Sequence, residues 1–451
     1  MENELIKLAR KKLKSYNLEE VYQLGIKKRR LMKGASSQIV VTYPPLSILH
    51  KINPDWIFKE DNKKDFTLYF HIPFCTGKCL YCGFSTYPNQ SIKRVDEYIK
   101  ALKEEVKLYL KHKQIKEAKI KSVYIGGGTP TYLSKEQLKH LLDFINSRFK
   151  IEKGTEFTIE SSPETLDKEK LRILLENGVN RLSIGVQTFD DDILKLILRR
   201  HNSKEAISAY NLAREVGFKN INLDIIRGLP DMSLKKLLKD LEILEKLKPE
   251  SISGYHLIVK PTAAIQKMCN DEPKRFPDEE TNLLMHIMAM EKMKQLGYEH
   301  NPIDWFYLKS KVYEQQIHKW EEIINQLSFG LSVYGYINNV QYYNEGDINK
   351  YLELINEGKL PIKGGLELIK KEQRNRKFIF GLKTKINKEF VKKEFGEIPN
   401  EIKDKINKYK KLGLIEENEK YIKLTQKGAL FADEICIEFY SEEVLKKINN
   451  F

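Results

Sequence analysis

The chain has 451 residues, a formal net charge of +15 and 41% apolar residues, enough for two or three domains or one large barrel with an appendage. It has no run of eighteen apolar residues and no signal-peptide core after Met1, so a soluble, cytoplasmic protein that does not enter a membrane is expected. The basic balance would suit nucleic acid, an anionic membrane or a carboxylate-bearing small molecule, although lysines spread over solvated helix faces explain most of it. Two runs, Lys27-Lys-Arg-Arg30 and Arg199-Arg200, remain candidates for binding an anion.

From residue 66 to residue 257 the sequence alternates strand-like and helix-like segments. Apolar runs rich in β-branched and aromatic residues predict strands at 66–72, 122–125, 156–160, 181–186, 220–226 and 251–257. Amphipathic stretches predict helices at 92–111, 134–149, 167–176, 203–216 and 233–247. Ser134 and Gln137 suggest a capping box, and Gly178 and Gly217 fall where helices should end. Repeated strand–helix units require parallel strands with right-handed crossovers, so an α/β sheet that curls toward a barrel is expected.

After residue 257 the pattern is less regular. A helix is expected over 277–297, then an irregular stretch with Trp305 and Trp320, then a buried strand or turn over 328–335. The tail from 383 to 451 predicts two short helices, a hairpin around 421–425 and a last helix near 430–439, a winged-helix-like unit. The predicted domains are an N-terminal extension over 1–60, a core barrel over 61–300, a barrel-completing and site-covering region over 301–380 and a C-terminal winged-helix-like domain over 381–451.

Three of the five cysteines lie within eight residues, as Cys75-Thr-Gly-Lys-Cys79-Leu-Tyr-Cys82. Three thiolates can bind three irons of a [4Fe–4S] cluster and leave the fourth iron open for a small molecule. A three-thiolate zinc site and unrelated buried thiols are the alternatives, but a structural zinc would need a fourth ligand at motif spacing. Cys269 and Cys436 have no cysteine neighbour and are interpreted as ordinary thiols, with a redox or substrate role left open.

Polar and glycine residues follow the predicted strands at the edge where parallel sheets bind ligands. They are Gly126, Gly127 and Gly128 after the second strand, Glu160 at the end of the third, Gln187 after the fourth and Asp224 in the fifth. A glycine run lets backbone amides approach a ligand closely, although a structural tight turn is the default interpretation of such a run alone. Beside an open iron it favours a seat for the amino-acid end of S-adenosylmethionine, whose carboxylate and amine can chelate that iron. Cleavage of its sulfonium bond by an electron from the cluster would yield a carbon radical.

Other side chains complete this predicted site. Arg199 is the candidate cation for the carboxylate of the ligand, and Tyr81 is expected to pack over the cluster or stack on adenine. Tyr69 and His71 line the strand that enters the cysteine loop, where a purely structural role stays equally open.

Four segments resemble radical S-adenosylmethionine enzymes of the oxygen-independent coproporphyrinogen III oxidase family. They are 68–82 with the three cysteines, 126–130 (Gly-Gly-Gly-Thr-Pro), 180–189 and 223–230, and the resemblance extends from about residue 60 into the tail. The resemblance implies a partial (β/α)6 barrel, a [4Fe–4S] cluster on Cys75, Cys79 and Cys82, and S-adenosylmethionine on the open iron. The contacts it implies for that ligand come from Tyr69, Gly127, Gly128, Thr129, Glu160, Gln187, Arg199 and Asp224. Family members that bind a second S-adenosylmethionine place it near the cysteine loop, which would involve Phe84.

Departures from the family pattern favour one branch of it. Phe84 stands where the oxidase tends to have a fourth cysteine, and Gly83-Phe-Ser-Thr86 replaces the Asp-Phe-Asn-Ser typical of the haem-chaperone branch. A Gly-Phe continuation is similar to the anaerobic haem-degrading methyltransferase branch, as is the segment 334–338 with Tyr342 and Asn344. The segment Tyr43-Pro-Pro45 instead resembles the N-terminal part of the oxidase.

The leading hypothesis is therefore a radical enzyme with two S-adenosylmethionine molecules that acts on a tetrapyrrole or similar flat aromatic, transferring a methyl group as haem is opened. Tyr69, Phe84 and Arg227 are the predicted catalytic residues, and Arg227 with Arg29-Arg30 would hold propionates. The alternatives are a coproporphyrinogen III dehydrogenase, a haem chaperone, and a C-methyltransferase on another heteroaromatic. An electron donor such as flavodoxin or ferredoxin is the expected partner. Nucleic acid is disfavoured because the lysines of the tail lie among acids without an aromatic stacking surface.

Overall fold

The computed structural model describes residues 2–26, 40–58, 64–302 and 304–449. The basic run Lys27–Arg30, with the predicted propionate-binding Arg29 and Arg30, lies outside these residues. No helix among the described residues is long and apolar enough to cross a membrane.

The strands form one large sheet and two small ones. In chain order they are β1 Asp65–Ile72, β2 Phe74–Cys75, β3 Tyr87–Pro88, β4 Lys119–Gly127, β5 Glu156–Ser161, β6 Arg181–Gln187, β7 Ile221–Arg227, β8 Ser251–His256, β9 Glu299–Asn301, β10 Trp305–Tyr307, β11 Asn325–Phe329, β12 Tyr334–Ile337, β13 Val340–Asn344, β14 Ile362–Glu367, β15 Ile386–Asn387, β16 Ile415–Glu417 and β17 Tyr421–Leu424.

The helices lie mostly between these strands. They are α1 Glu4–Ser15, α2 Leu18–Gln23, α3 Ile92–Tyr109, α4 Lys113–Lys116, α5 Lys135–Arg148, α6 Lys168–Glu176, α7 Asp191–Leu196, α8 Ser203–Val216, α9 Leu234–Leu247, α10 Ile265–Asp271, α11 Glu279–Gln295, α12 Glu314–Trp320, α13 Ile348–Asn356, α14 Lys370–Gly381, α15 Lys388–Phe395, α16 Asn400–Lys411, α17 Gln426–Ala429, α18 Ala432–Ile437 and α19 Glu442–Asn449.

The predicted partial (β/α)6 barrel is confirmed. Strands β1, β4, β5, β6, β7 and β8 lie side by side in this order, each parallel to the next, with helices in the connections. All six strands and five helices predicted between residues 66 and 257 are present, with ends shifted by a few residues at most. The apolar side chains of these strands are almost all buried, because helices cover the outer face and the curl encloses the inner face.

Local signals explain several helix ends. Ser134 and Gln137 form the predicted capping box at the start of α5, with each side chain bonded to the other residue's backbone. Gly178 and Gly217 have φ of +84° and +121°, the left-handed region that glycine adopts without steric cost at a helix end.

Both edges of the sheet extend beyond the parallel unit. At one edge β11 pairs parallel with β1, and β12, β13 and β14 continue antiparallel from it. At the other edge β10 and β9 continue antiparallel from β8. The expected irregular stretch is partly regular, since Trp305 lies in β10 and Trp320 in α12, where the two rings stack with centroids 5.1 Å apart.

The C-terminal region contains the expected winged-helix-like elements. Strands β15, β17 and β16 form a small antiparallel sheet beside α15 and α16. The single last helix predicted near 430–439 is instead part of a series of short helices, α17, α18 and α19, because Phe431 has a non-helical backbone between the first two. The N-terminal helix α1 packs on α11, and Lys12 Nζ bonds to Glu291 (2.5 Å) and to Gln426 (3.1 Å).

Candidate active site

The cysteine loop leaves the carboxyl end of β1 and is held by backbone hydrogen bonds. Cys75 lies in β2, which pairs with β3 on the far side of the loop. The Cys82 amide donates to the Cys79 carbonyl (3.1 Å), a tight turn that brings these two residues together. Leu80 donates to the Ile197 carbonyl (3.0 Å), which fixes the loop against the segment after α7. All three cysteines are half-buried.

The thiols have polar neighbours suited to thiolate ligands. Arg199 Nη1 donates to Cys79 Sγ (3.3 Å), and Thr129 Oγ1 lies 3.8 Å from Cys75 Sγ. Burial raises the pKa of the Cys75 thiol to about 12 and also raises the pKa of Cys82. A bound cation releases these protons, because the thiolate is the form that binds metal. Three thiols on one loop beside a half-buried arginine therefore match the donor set of a cluster with one open iron.

The glycine run packs against the cysteine loop so closely that a side chain has no room. A Cβ on Gly126 would lie 2.9 Å from the Glu160 carboxylate, and one on Gly127, whose φ is +120°, would lie 2.6 Å from the His71 ring. A Cβ on Gly128 would lie 2.6 Å from the Phe74 carbonyl oxygen and 2.8 Å from Cys75 Sγ. Each glycine thus permits contact with a different part of the predicted site.

Two half-buried carboxylates lie on β5 and β7, the strands on either side of β6. Glu160 accepts hydrogen bonds from the Gly127 amide (2.9 Å) and from Tyr124 Oη (2.6 Å), and burial raises its pKa to about 7. Asp224 accepts from Asn222 Nδ2 (2.7 Å), and burial raises its pKa to about 6. Both carboxyl groups can therefore gain or lose a proton near neutral pH.

Gln187 and Arg199 meet at the end of β6. Gln187 has a φ of +75°, and the pairing of β6 with β7 is irregular between Gly185 and Gln187. This bulge turns the side-chain amide of Gln187 toward Gly185. A Cβ on Gly185 would lie 2.8 Å from Gln187 Nε2 and 3.6 Å from Arg199 Nη2, so both side chains lie close to this glycine. Arg199 Nη2 also donates to Ser162 Oγ (2.7 Å) and to the Gly185 carbonyl (2.5 Å).

The structure places Tyr69 and Tyr81 in the same region. Tyr69 stacks on Tyr124 with centroids 5.9 Å apart, and its hydroxyl lies 3.3 Å from His71 Nδ1. Tyr81 is partly buried between two cysteines, and burial raises the pKa of its hydroxyl. Phe84 is 63% exposed beside the loop, and Lys260 Nζ lies 5.2 Å from the centre of its ring.

The structure contradicts the predicted position of Arg227 at the mouth of the site. Arg227 is buried, its Nη2 forms an ion pair with Asp304 Oδ1 (2.5 Å), and its Nε donates to the Gly254 carbonyl (3.1 Å). A guanidinium committed to a buried carboxylate is not presented to a substrate propionate.

Beside this pair lies a group of potential metal ligands that no pattern in the sequence predicts. Ligand atoms of His286, His300 and Asp304 lie within 4.8 Å of one another. His286 Nε2 lies 2.8 Å from the same Asp304 oxygen that Arg227 contacts. The guanidinium neutralises the carboxylate, so this group is a poor cation site and instead forms a buried polar network.

Comparison with known proteins decides the family. Residues 69–242 match the Radical SAM superfamily, and residues 368–431 match the HemN C-terminal domain. Heme chaperone HemW of Bacillus subtilis is 35% identical over 382 residues, which cover 83% of this chain and 99% of that protein. The chain belongs to the HemN/HemW family of radical SAM proteins. The oxygen-independent coproporphyrinogen III oxidase of Escherichia coli is 26% identical over 397 residues, 84% of this chain and 86% of that protein.

The fold of the family is the one seen here. The structure of HemN from Escherichia coli superposes with a TM-score of 0.79 over 88% of this chain and 96% of that chain, at 24% identity. Membership of the radical SAM superfamily implies a [4Fe–4S] cluster and S-adenosylmethionine, and the cysteine loop and glycine run described above fit both. The comparisons favour the haem-chaperone alternative over the predicted methyltransferase branch, because the match to HemW spans nearly that whole protein whereas the Gly-Phe signature spans two residues.

Proposed function

We propose that this radical SAM protein binds haem and delivers it, as the name of its HemW relative describes. The observation that carries the proposal is the 35% identity over 99% of heme chaperone HemW from Bacillus subtilis. Chaperones of the same name from Lactococcus lactis and Escherichia coli are 32% and 33% identical over 75% and 60% of their lengths. In this function haem is cargo and leaves the protein unchanged.

The residues of the cysteine loop and strand ends would hold the resident cofactors. Cys75, Cys79 and Cys82 would bind the cluster, while Gly126, Gly127, Gly128 and Thr129 would seat the amino-acid end of S-adenosylmethionine. Arg199 would hold its carboxylate, with Gln187 beside it, and Glu160 and Asp224 would accept hydrogen bonds from its amine and ribose. When bound, the cluster and S-adenosylmethionine supply one-electron chemistry. Tyr81 would exclude water from the cluster, and Tyr69 would orient the Tyr124–Glu160 pair by stacking.

The face around Phe84 would bind the tetrapyrrole. Phe84 offers an aromatic surface that is 63% exposed, and Lys260 lies over its ring as a cation for a propionate. The ring of Phe84 and the Lys260 ammonium, 5.2 Å from its centre, would thus offer a stacking face and a cation at one place. A second S-adenosylmethionine at Phe84 would compete with haem for this face.

Titration of the anaerobically reconstituted protein with haem, followed by its Soret absorbance, tests the proposal. Stoichiometric binding, and recovery of unmodified haem after incubation with reductant and methyl-labelled S-adenosylmethionine, are expected. Phe84→Ala should weaken haem binding several-fold, whereas the matched control Ile369→Ala, which removes an exposed apolar side chain in the C-terminal region, should not. Label in the tetrapyrrole would instead support haem methylation with ring opening, and the proposal would fail.

A second candidate is oxidative decarboxylation of coproporphyrinogen III. It is favoured by the 26% identity to the Escherichia coli oxidase over 86% of that protein, and disfavoured by Phe84 in place of a cysteine. Carbon dioxide released from coproporphyrinogen, together with one 5′-deoxyadenosine per carboxylate lost, would establish this activity.

A further inference from the structure

A basic surface lies beside the cysteine loop, where Lys78 of the loop meets α7 and the segment that follows it. It surrounds a hollow of about 550 Å³ lined by the side chains of Lys78, Lys195, Leu198 and Arg200, here called the loop-side basic surface. Leu198 is 55% exposed and has a φ of +60°, so the backbone turns this apolar side chain outward between the cations. An apolar centre with a charged rim is the usual anatomy of a protein–protein contact.

The cations of this surface are available for a partner. Lys78, Lys195 and Arg200 make no ion pair with an acidic side chain in the part of the chain that the structure describes. The two carboxylates that line the hollow, Asp191 and Glu205, instead accept backbone hydrogen bonds, from Ser203 (2.7 Å) and from Asn202 (2.8 Å). With Lys78, Lys195 and Arg200 against these two carboxylates, the lining retains an excess of positive charge.

Direct hydrogen bonds connect the loop-side basic surface to the cysteine loop. Arg199, which follows Leu198, donates to Cys79 Sγ (3.3 Å), and the carbonyl of Ile197, which precedes it, accepts from Leu80 (3.0 Å). The guanidinium of Arg200 packs against Gly77 of the loop, since a Cβ on this glycine would lie 2.5 Å from Arg200 Nη2. A partner seated on Leu198 would therefore be separated from a cluster ligand by little more than one side chain.

We propose that the loop-side basic surface docks an acidic one-electron carrier protein that reduces the cluster. Charge complementarity selects the partner, because opposite charges accelerate the encounter of two proteins. Complexes that transfer electrons are short-lived and have small interfaces, so a surface of this size is sufficient. The reduced carrier loses one electron and the cluster gains it, passing from the 2+ to the 1+ state; no bond forms and no proton moves. The inference rests on the cluster of the proposed function and is independent of haem binding.

Stopped-flow mixing of the reconstituted protein with flavodoxin hydroquinone tests the proposal, with cluster reduction followed by bleaching near 400 nm and affinity measured separately by calorimetry. Lys195→Glu/Arg200→Glu should lower the second-order rate constant and the affinity at least tenfold at low salt. The difference should vanish at about 1 M salt, where the Debye length is about 3 Å. Lys219→Glu, a charge reversal of an exposed residue in the loop before β7, is the matched control and should change both by less than twofold.

Two further measurements distinguish the loss of carrier docking from damage to the cluster. Iron content and the rate of reduction by dithionite should be unchanged in the double variant, which shows that the cluster is intact and reducible. Leu198→Ser should lower the affinity without changing its dependence on salt. Reduction of the double variant by flavodoxin at the wild-type rate, or a salt-sensitive loss of RNA or phosphate binding instead of flavodoxin binding, would overturn the proposal. If the protein failed to bind haem, the expected rates of cluster reduction by flavodoxin would be the same.

Discussion

Gly128→Ala should displace the cysteine loop from its position. The added Cβ would lie 2.6 Å from the Phe74 carbonyl oxygen and 2.8 Å from Cys75 Sγ, while an ordinary contact begins at about 3.4 Å. The loop must therefore move by about 0.8 Å at Phe74 and about 0.6 Å at Cys75, and a metal ligand tolerates only about 0.2 Å. Overpacking of this kind costs about 1–3 kcal/mol, which corresponds to about 5- to 150-fold weaker retention of the cluster if the strain falls on Cys75.

Iron and sulfide content after anaerobic reconstitution and desalting, with a thermal unfolding curve, measures this effect. Gly346→Ala is the control, because its Cβ would meet Ser332 Oγ at 3.1 Å and that hydroxyl can rotate away. The control should keep its cluster and its Tm, whereas Gly128→Ala should lose most of its iron. Full iron content and an unchanged Tm in Gly128→Ala would show that the position of Cys75 does not depend on a glycine at residue 128.

Three other predictions concern charge and exposure. Burial raises the pKa of Asp240 from 3.8 to about 7, so its stabilising effect is full below pH 4 and is lost as pH rises through 7; Asp240→Asn should remove this loss from urea unfolding curves taken between pH 5 and pH 8. Arg227→Met leaves Asp304 buried without its guanidinium and should lower the free energy of unfolding by about 3–5 kcal/mol in chemical denaturation. Arg227→Met/Asp304→Asn should recover part of it, because asparagine removes the charge and tolerates the φ of +69° at this position. Phe84→Ala should keep full iron content and shift the free energy of unfolding by less than about 0.5 kcal/mol, since Phe84 is largely exposed; a large loss of either would assign it a structural role.

The strand ends were predictable from the sequence because two regular rules fix them. Apolar runs of strand length separated by amphipathic helices imply parallel strands, and parallel strands bring their carboxyl ends to one edge. These rules predict that Gly126, Glu160 and Asp224 lie close together, and the structure brings them together. This part of the site depends on order along the chain and not on side-chain detail.

Other parts of the site depend on pairings that local sequence does not reveal. The contact of Arg199 with Cys79 joins residues 120 apart and depends on how the loop after α7 folds back. The partner of Arg227 lies 77 residues away in a short segment before β10, so its position at a strand end indicated a substrate role that the ion pair contradicts. A local signal did exist for the β12–β13 hairpin, since Asn338-Asn339 lies between aromatic runs and both residues have positive φ.

Strand β1 has consequences for the order in which the protein assembles. On one side it pairs with β4, which follows within about 50 residues, but on the other side it pairs with β11, where Phe66 lies opposite Asn325. During synthesis the strand that carries the cysteine loop therefore keeps one edge open until more than 250 further residues have been made, and an open strand edge invites pairing with other chains. Truncation before β11 should yield aggregating protein that acquires no cluster, so loading with iron belongs to the completed chain.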